Sequence, residues 1–249
     1  MQEAHFQPID EAEVYHNLVF PEAPYDRPYI LLNMVCTVDG KATIAGKAGP
    51  IGGTLDHMLM RRIRSVVDAL MYGAGTLRTD QVDPSLPPEL QKLRVSRGLS
   101  PLPLAIVVSS SGQIPLGNLF FRVPNVTKLV IVPSDIAQQV RQDLEAHAQV
   151  VTPGPSPLEP RQFMGALRTE WGVKRLVVEG GPSLNHSLFA AGLADEIFLT
   201  LAPKIVGDSA AKTIVEGPPL PQEAMPLMEL ISVYRCQNEL YLRYRCRYS

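Results

Sequence analysis

The residues Glu179-Gly180-Gly181-Pro182-Ser183 carry the strongest chemical signal in the chain. They follow the apolar run Leu176-Val177-Val178 and lead into a helical stretch, Ser183 to Ala191, closed by Gly192. Paired glycines let a ligand approach the backbone closely. Ser183 is placed to cap the helix, and the free N–H groups of a first helical turn attract an anion. In an open parallel sheet, ligands sit at this carboxyl end of the strands. The same five residues also describe a tight strand–helix connection that binds nothing. Glu179 ends an apolar run, where a carboxylate is costly unless it is paired or functional. It is suited to orient a substrate, and equally to accept backbone N–H bonds.

Two further turns repeat the pattern more weakly. Tyr72-Gly73-Ala74-Gly75-Thr76 ends an apolar run in glycine and places a hydroxyl at the start of a helical turn. Ser109-Ser110-Ser111-Gly112 follows Leu104 to Val108, and hydroxyls there suit the adenosine side of a nucleotide, including a 2′-phosphate. Arg61, Arg62 and Arg64 cluster on an amphipathic segment, Leu55 to Leu70. Other chemistries are missing from the pattern. No Gly-x-Gly-x-x-Gly follows the first strand, and there is no Walker A sequence or nucleophile elbow. Neither the histidines nor Cys36, Cys236 and Cys246 have metal-ligand spacing, so no metal is expected.

The elements that position these turns alternate along the chain. Apolar runs at 28–35, 69–72, 104–108, 128–132, 150–151, 176–178 and 196–201 read as strands. Helical patterns fall at 55–70, 134–146, 161–171 and 183–191. Such alternation predicts an α/β fold with a mainly parallel sheet and helices on both faces. Two alternating runs around Gln237-Asn238 predict a C-terminal antiparallel hairpin. Residues 81–103 are rich in proline and read as a loop, the best candidate for a mobile one. Residues 1–27 read as an extended arm whose Val14, Leu18 and Phe20 lie across the surface or a neighbouring subunit, ahead of one domain at 28–249.

Composition narrows the partners. With 45% hydrophobic and 19% charged residues over 249 positions, the chain has the balance of a globular protein. A formal net charge of −2 gives no basic excess for nucleic acid, so an anionic ligand must be met by local donors. Met1 to Asp10 has no signal-peptide core, and no apolar run is long enough to span a membrane. A cytoplasmic protein with reduced thiols is expected.

Five ordered segments resemble the pyrimidine reductase family of riboflavin biosynthesis, which is related in fold to dihydrofolate reductase. They are Asn33 to Lys41, Asp68 to Thr76, Val178 to Gly181, Gly192 to Glu196 and Ala202-Pro203-Lys204. The resemblance covers residues 28 to about 207 and continues more weakly to the end. It implies NADPH as hydride donor and a ribosylamino-pyrimidinone 5′-phosphate whose ribosyl group is reduced to ribityl. Carried over by motif, the cofactor touches Val35, Pro50, Thr76, Asp80, Ser109 and the turn from Gly181 to Ser187. Within that turn Gly181, Pro182, Ser183, Leu184 and Asn185 come foremost. The substrate falls near Ala48, Arg64, Leu86 and Glu179, with Arg64 apt for a bidentate grip on phosphate. The proton donor is unassigned between water and a carboxyl group, with Asp56 and Glu179 as the candidate carboxyls, and a homodimer is implied.

The chain departs from the family pattern twice. The usual Asp-Asp-Pro after the Gly-Thr turn is here Thr79-Asp80-Gln81-Val82-Asp83-Pro84, and the usual Ile-Thr-Ser is Ile51-Gly52-Gly53, which removes two hydroxyls. The zinc deaminase signature that accompanies the reductase in some members is not found in these residues. The altered loop keeps open a dihydrofolate- or pteridine-type reductase of the same fold, or a non-catalytic NADP-binding protein.

Overall fold

The seven apolar runs become parallel strands because residues buried on both faces of a sheet need no polar alternation. They are β1 (Tyr29–Thr37), β2 (Ala69–Gly73), β3 (Leu104–Val108), β4 (Lys128–Ile131), β5 (Gln149–Val151), β6 (Arg175–Val178) and β7 (Glu196–Ala202). Two antiparallel strands, β8 (Leu227–Cys236) and β9 (Glu239–Arg247), complete the sheet. The computed structural model describes residues 10–248. The absence of a signal-peptide core expected over Met1 to Asp10, and the first nine residues of the arm, therefore lie outside the described residues apart from Asp10.

The strand order is β5-β4-β3-β2-β6-β1-β7-β9-β8. Strand β1 sits between β6 and β7, with Leu32 opposite Val178 and Val35 opposite Thr200. Helices α1 (Thr54–Arg64), α2 (Ala74–Thr79), α4 (Leu119–Arg122) and α5 (Gln138–Glu145) contribute to the core on one face, joined by Leu31, Leu70 and Val177 of the strands. Helices α6 (Pro160–Thr169) and α7 (Pro182–Ala190) pack on the other, against Ile30, Leu32, Met71 and Val178.

Three expectations are corrected. The segment expected as one helix to Leu70 ends at Arg64, and Leu70 belongs to β2. Its pattern ran on because Leu59, Ile63, Val67 and Leu70 all bury in one core across the break. The loop at 81–103 contains α3 (Pro88–Ser96), whose inward contact is Arg94. That guanidinium donates to the carbonyls of Arg64 at 2.8 Å, Val67 at 2.6 Å and Ser100 at 2.8 Å. It thus satisfies a carbonyl that the end of α1 leaves unpaired. Burial lowers the Arg94 pKa to about 10. Finally, Ser183 does not cap α7: Gly181 occupies the cap position and Pro182 the first turn.

The arm packs on its own sheet. Val14, Tyr15 and Phe20 are buried, and the Tyr15 ring meets Phe198 edge-on at 4.9 Å. Arg62 of α1 holds the backbone at Ala12 and Val14.

Candidate active site

Strands β2 and β6 are neighbours, yet the helices that follow them leave toward opposite faces. Ala74 and Leu77 of α2 join one core, while Leu184 and Leu188 of α7 join the other. A crevice must open where adjacent connections diverge, at the carboxyl edge of the sheet. The two turns close on each other there. Gly73 N–H donates to the Gly180 carbonyl at 2.8 Å, and Gly181 N–H to the Thr76 hydroxyl at 3.1 Å. Gly180 and Gly181 have φ of +101° and +31°, a region in which side chains are strained. A methyl group at Gly73 would stand 3.5 Å from the Gly181 Cα, an ordinary contact, so it is the backbone of Gly180 and Gly181 that requires glycine here. With Gly181 N–H engaged and Pro182 lacking one, Ser183 and Leu184 supply the first-turn amide donors of α7.

The crevice has two chambers. One, of about 630 Å³, is lined by Thr76, Asp80, Ser109, Gly181, Pro182, Ser183, Leu184 and Ser187. The other, of about 560 Å³, is lined by Val35, Asp56, Arg64, Leu86 and Tyr72. Met34, Ala48, Thr76, Asp80 and Glu179 border both, so they form a common wall. The expected site residues are therefore brought together with three exceptions, one being His186 of the α7 turn, which borders neither chamber and whose Nε2 lies 2.7 Å from the Pro218 carbonyl. Pro50 borders neither chamber; its carbonyl accepts from Lys204 Nζ at 2.7 Å. Asn185 is fully buried behind the wall, donating to the Ile214 carbonyl at 2.8 Å and to Met34 Sδ at 3.2 Å. Val35, expected on the cofactor side, lines the second chamber only.

Glu179 is held by three donors. Arg64 binds it through both edges of its fork, Nε to Oε1 at 2.7 Å and Nη2 to Oε2 at 2.6 Å, and the Tyr72 hydroxyl donates at 2.9 Å. The remaining Arg64 nitrogen, Nη1, donates to the Asp83 carbonyl at 2.8 Å. The fork expected to grip a phosphate is thus occupied by Glu179. Burial, more than the neighbouring Glu179, raises the Tyr72 pKa well above its ordinary value, so the hydroxyl stays a donor. Ser109 is also engaged, accepting from Gly112 N–H at 3.0 Å, while Ser110 and Ser111 border the larger chamber.

Asp56 borders the smaller chamber from the first turn of α1. Burial raises its pKa, against a hydrogen bond from the Thr200 hydroxyl. Above the crevice, the turn after β1 is joined to the long segment after β7. Asp39 accepts from Thr37 Oγ1 at 2.5 Å and from Gly207 N–H at 2.8 Å, and these bonds lower its pKa to about 2. Lys212 N–H donates to Thr43 Oγ1 at 2.9 Å. Four contributors escaped the sequence reading as site residues. Tyr72 had one signal, a phenol on a buried strand that needs a partner. Lys204 lay inside a family motif without an assigned task. Arg78 and Lys212, which border the larger chamber, stand in no motif with recognisable spacing.

The fold and crevice define an α/β protein with a divided crevice at the carboxyl edge of its sheet. The chain belongs to the family of the RibD C-terminal domain, whose model matches residues 28–242. It is 33% identical over 221 residues to the 2,5-diamino-6-ribosylamino-4(3H)-pyrimidinone 5′-phosphate reductase of Methanothermobacter thermautotrophicus, covering 88% of this chain and 98% of that one. The reductase of the same name from Archaeoglobus fulgidus is 31% identical over 77% of this chain and 87% of its own. A pyrimidine reductase-like protein from Corynebacterium diphtheriae has the same fold, with a TM-score of 0.80 at 24% identity over 96% of this chain and 99% of that one. The family resemblance carried by the five ordered segments, and the parallel sheet with its terminal hairpin, are thereby established. Among the described residues no cluster with metal-ligand geometry occurs, and no helix is long and apolar enough to cross a membrane.

Proposed function

We propose that this protein is an NADPH-dependent reductase that converts the ribosyl group of a ribosylamino-pyrimidinone 5′-phosphate to ribityl in riboflavin biosynthesis. One observation carries the reading: two chambers meet at a common wall, as a transfer between two bound molecules requires, in a chain that spans nearly all of a relative named for that reduction. The larger chamber fits a dinucleotide. Its glycine turns leave room for a pyrophosphate beside the Ser183 and Leu184 amides, and Arg78 and Lys212 add positive charge. When bound, NADPH supplies a hydride, and the protein's contribution is position. Gly181 to Leu184 hold the cofactor, with Thr76, Asp80 and Ser109 along its course. Ala48, Leu86 and Glu179 shape the substrate side. Arg64 acts there by fixing Glu179, so Glu179 faces the wall in one orientation.

The protein is further proposed to be cytoplasmic and a homodimer. The outer strand β8 exposes Leu227, Met228, Leu230 and Val233, an apolar edge that a second copy would cover. Turnover assays with NADPH, offering a ribosylamino-pyrimidinone 5′-phosphate and dihydrofolate in parallel, test the activity. Reduction of dihydrofolate alone would replace the substrate assignment, and NADPH binding without turnover of either would remove the enzyme reading. Light scattering of the purified chain tests the dimer.

A further inference from the structure

We propose that Asp56 is the acid that protonates the ring oxygen of a ribosylamine 5′-phosphate as its sugar ring opens, an inference that rests on the reductase reading above. Reduction at the first ribose carbon needs an open chain. The bond between that carbon and the ring oxygen breaks, the amine nitrogen's lone pair forms the new C=N bond, and the oxygen leaves as a hydroxyl. That hydroxyl needs one proton. Hydride from the reduced nicotinamide then neutralises the iminium carbon, and one solvent proton restores the acid.

Asp56 and Glu179 are the two carboxyl groups singled out from the sequence for this task, and geometry separates them. Glu179 already accepts three hydrogen bonds, two from a buried guanidinium. Asp56 forms no ion pair among the described residues, although it borders the substrate-side chamber and is only half-buried. Its carboxylate folds back over Gly52, where any side chain would collide with it. The neighbouring Gly53 N–H donates to Glu239 Oε1 at 3.1 Å, and a methyl group at Gly53 would lie only 3.1 Å from that oxygen. The Ile51-Gly52-Gly53 departure therefore has a physical use. Removing two side chains makes room for two carboxyl groups, one from α1 and one from β9.

The charged and titratable groups around Asp56 favour a held proton. Glu239 and the Tyr241 hydroxyl that donates to it come from β9, Glu179 lies at the end of β6, and Tyr15 lies in the arm. His57 on the same helix and the Thr200 hydroxyl on β7 oppose them. Lys204 on the adjoining loop is committed to the carbonyls of Pro50 and Ile51. Burial and like charge push the carboxyl pKa up, which is the condition for an acid that works near neutrality.

The test uses the full chain and the variants Asp56→Asn and Gly52→Ala. Asp56→Asn is expected to lower kcat by about 10²–10⁴-fold while leaving KM and NADPH affinity in place. The wild-type rate falls as pH rises through the acid's pKa, and the variant lacks that limb. Infrared titration supplies a readout apart from turnover: a protonated-carboxyl band that persists above the ordinary aspartate value of about 3.9 and is missing from Asp56→Asn. Gly52→Ala, which displaces the carboxyl group, should lower kcat and move that band toward ordinary pH. Melting adds a sign. A raised folded pKa means wild-type stability declines from about pH 4 upward until the folded pKa is passed, and Asp56→Asn escapes this decline. An active wild type with an equally active Asp56→Asn, or a band that titrates at the ordinary value, overturns this proposal alone. A wild type that reduces no ribosylamine phosphate overturns the reductase reading together with it.

Discussion

The molecule contains two buried clusters of the same composition, glutamate, arginine and tyrosine, at opposite ends of its sheet. At the carboxyl edge, Glu179 takes both edges of the Arg64 fork and the Tyr72 hydroxyl. At the amino edge, Glu196 accepts from Arg243 Nε at 2.7 Å and from the Tyr29 hydroxyl at 2.8 Å. Both glutamates are withdrawn from solvent, Glu196 completely. What differs is the outward neighbour. The Glu179 cluster borders both chambers of the crevice. The Glu196 cluster is sealed by the arm: the Arg243 guanidinium lies 5.0 Å from the Phe20 ring centre and donates to the Val19 carbonyl at 2.9 Å. Burying an ion pair costs solvation at either end. Only at the open end does the resulting rigid carboxylate border the crevice.

Substitution can break or sharpen this contrast. The largest effect is expected from Glu179→Gln. It leaves Arg64 without its counter-charge, costing about 3–5 kcal/mol of stability. It also disturbs the wall between the chambers, so kcat/KM should fall by about 10²-fold, as misplacement near reacting atoms does. Glu196→Gln should cost the same roughly 3–5 kcal/mol in urea melts, with kcat/KM of the folded enzyme unchanged. If Glu196→Gln lowers turnover as far as Glu179→Gln does, the two clusters are not distinct in role. A smaller effect is expected from Gly181→Asp, which sets a carboxylate beside the proposed pyrophosphate position without touching either cluster. NADPH affinity measured by fluorescence titration should drop about tenfold, equivalent to about 1.4 kcal/mol. Unchanged affinity would remove the cofactor from the α7 turn.

The contrast also explains what the sequence could show. Strands were legible because both faces of a parallel sheet are apolar, and the Gly180-Gly181 turn because its positive φ angles demand glycine. The partner of Arg64 was not legible, since Glu179 lies 115 residues away and an arginine near glycine turns reads equally as a phosphate grip. Helix α3 was missed for a different reason. Its buried contact is the Arg94 guanidinium, whereas Leu93 and Val95 are exposed, so it has no apolar stripe to detect. The exchange of hydroxyls for glycines at residues 52 and 53 was visible as a departure. Its meaning needed Asp56 and Glu239, brought to one place by α1 and the terminal hairpin.

The placement of β1 has a consequence for how the chain is made. Its two partners, β6 and β7, begin at Arg175 and Glu196, while β1 itself ends at Thr37. The apolar sequence Tyr29-Ile30-Leu31-Leu32 therefore leaves the ribosome long before either neighbour exists. At ordinary rates of synthesis the wait for roughly 140 residues lasts about 10–30 s. During that interval the centre of the future sheet is an unpaired, adhesive ribbon. Growth temperature and chaperone supply should therefore govern the yield of this protein more than the stability of its finished fold.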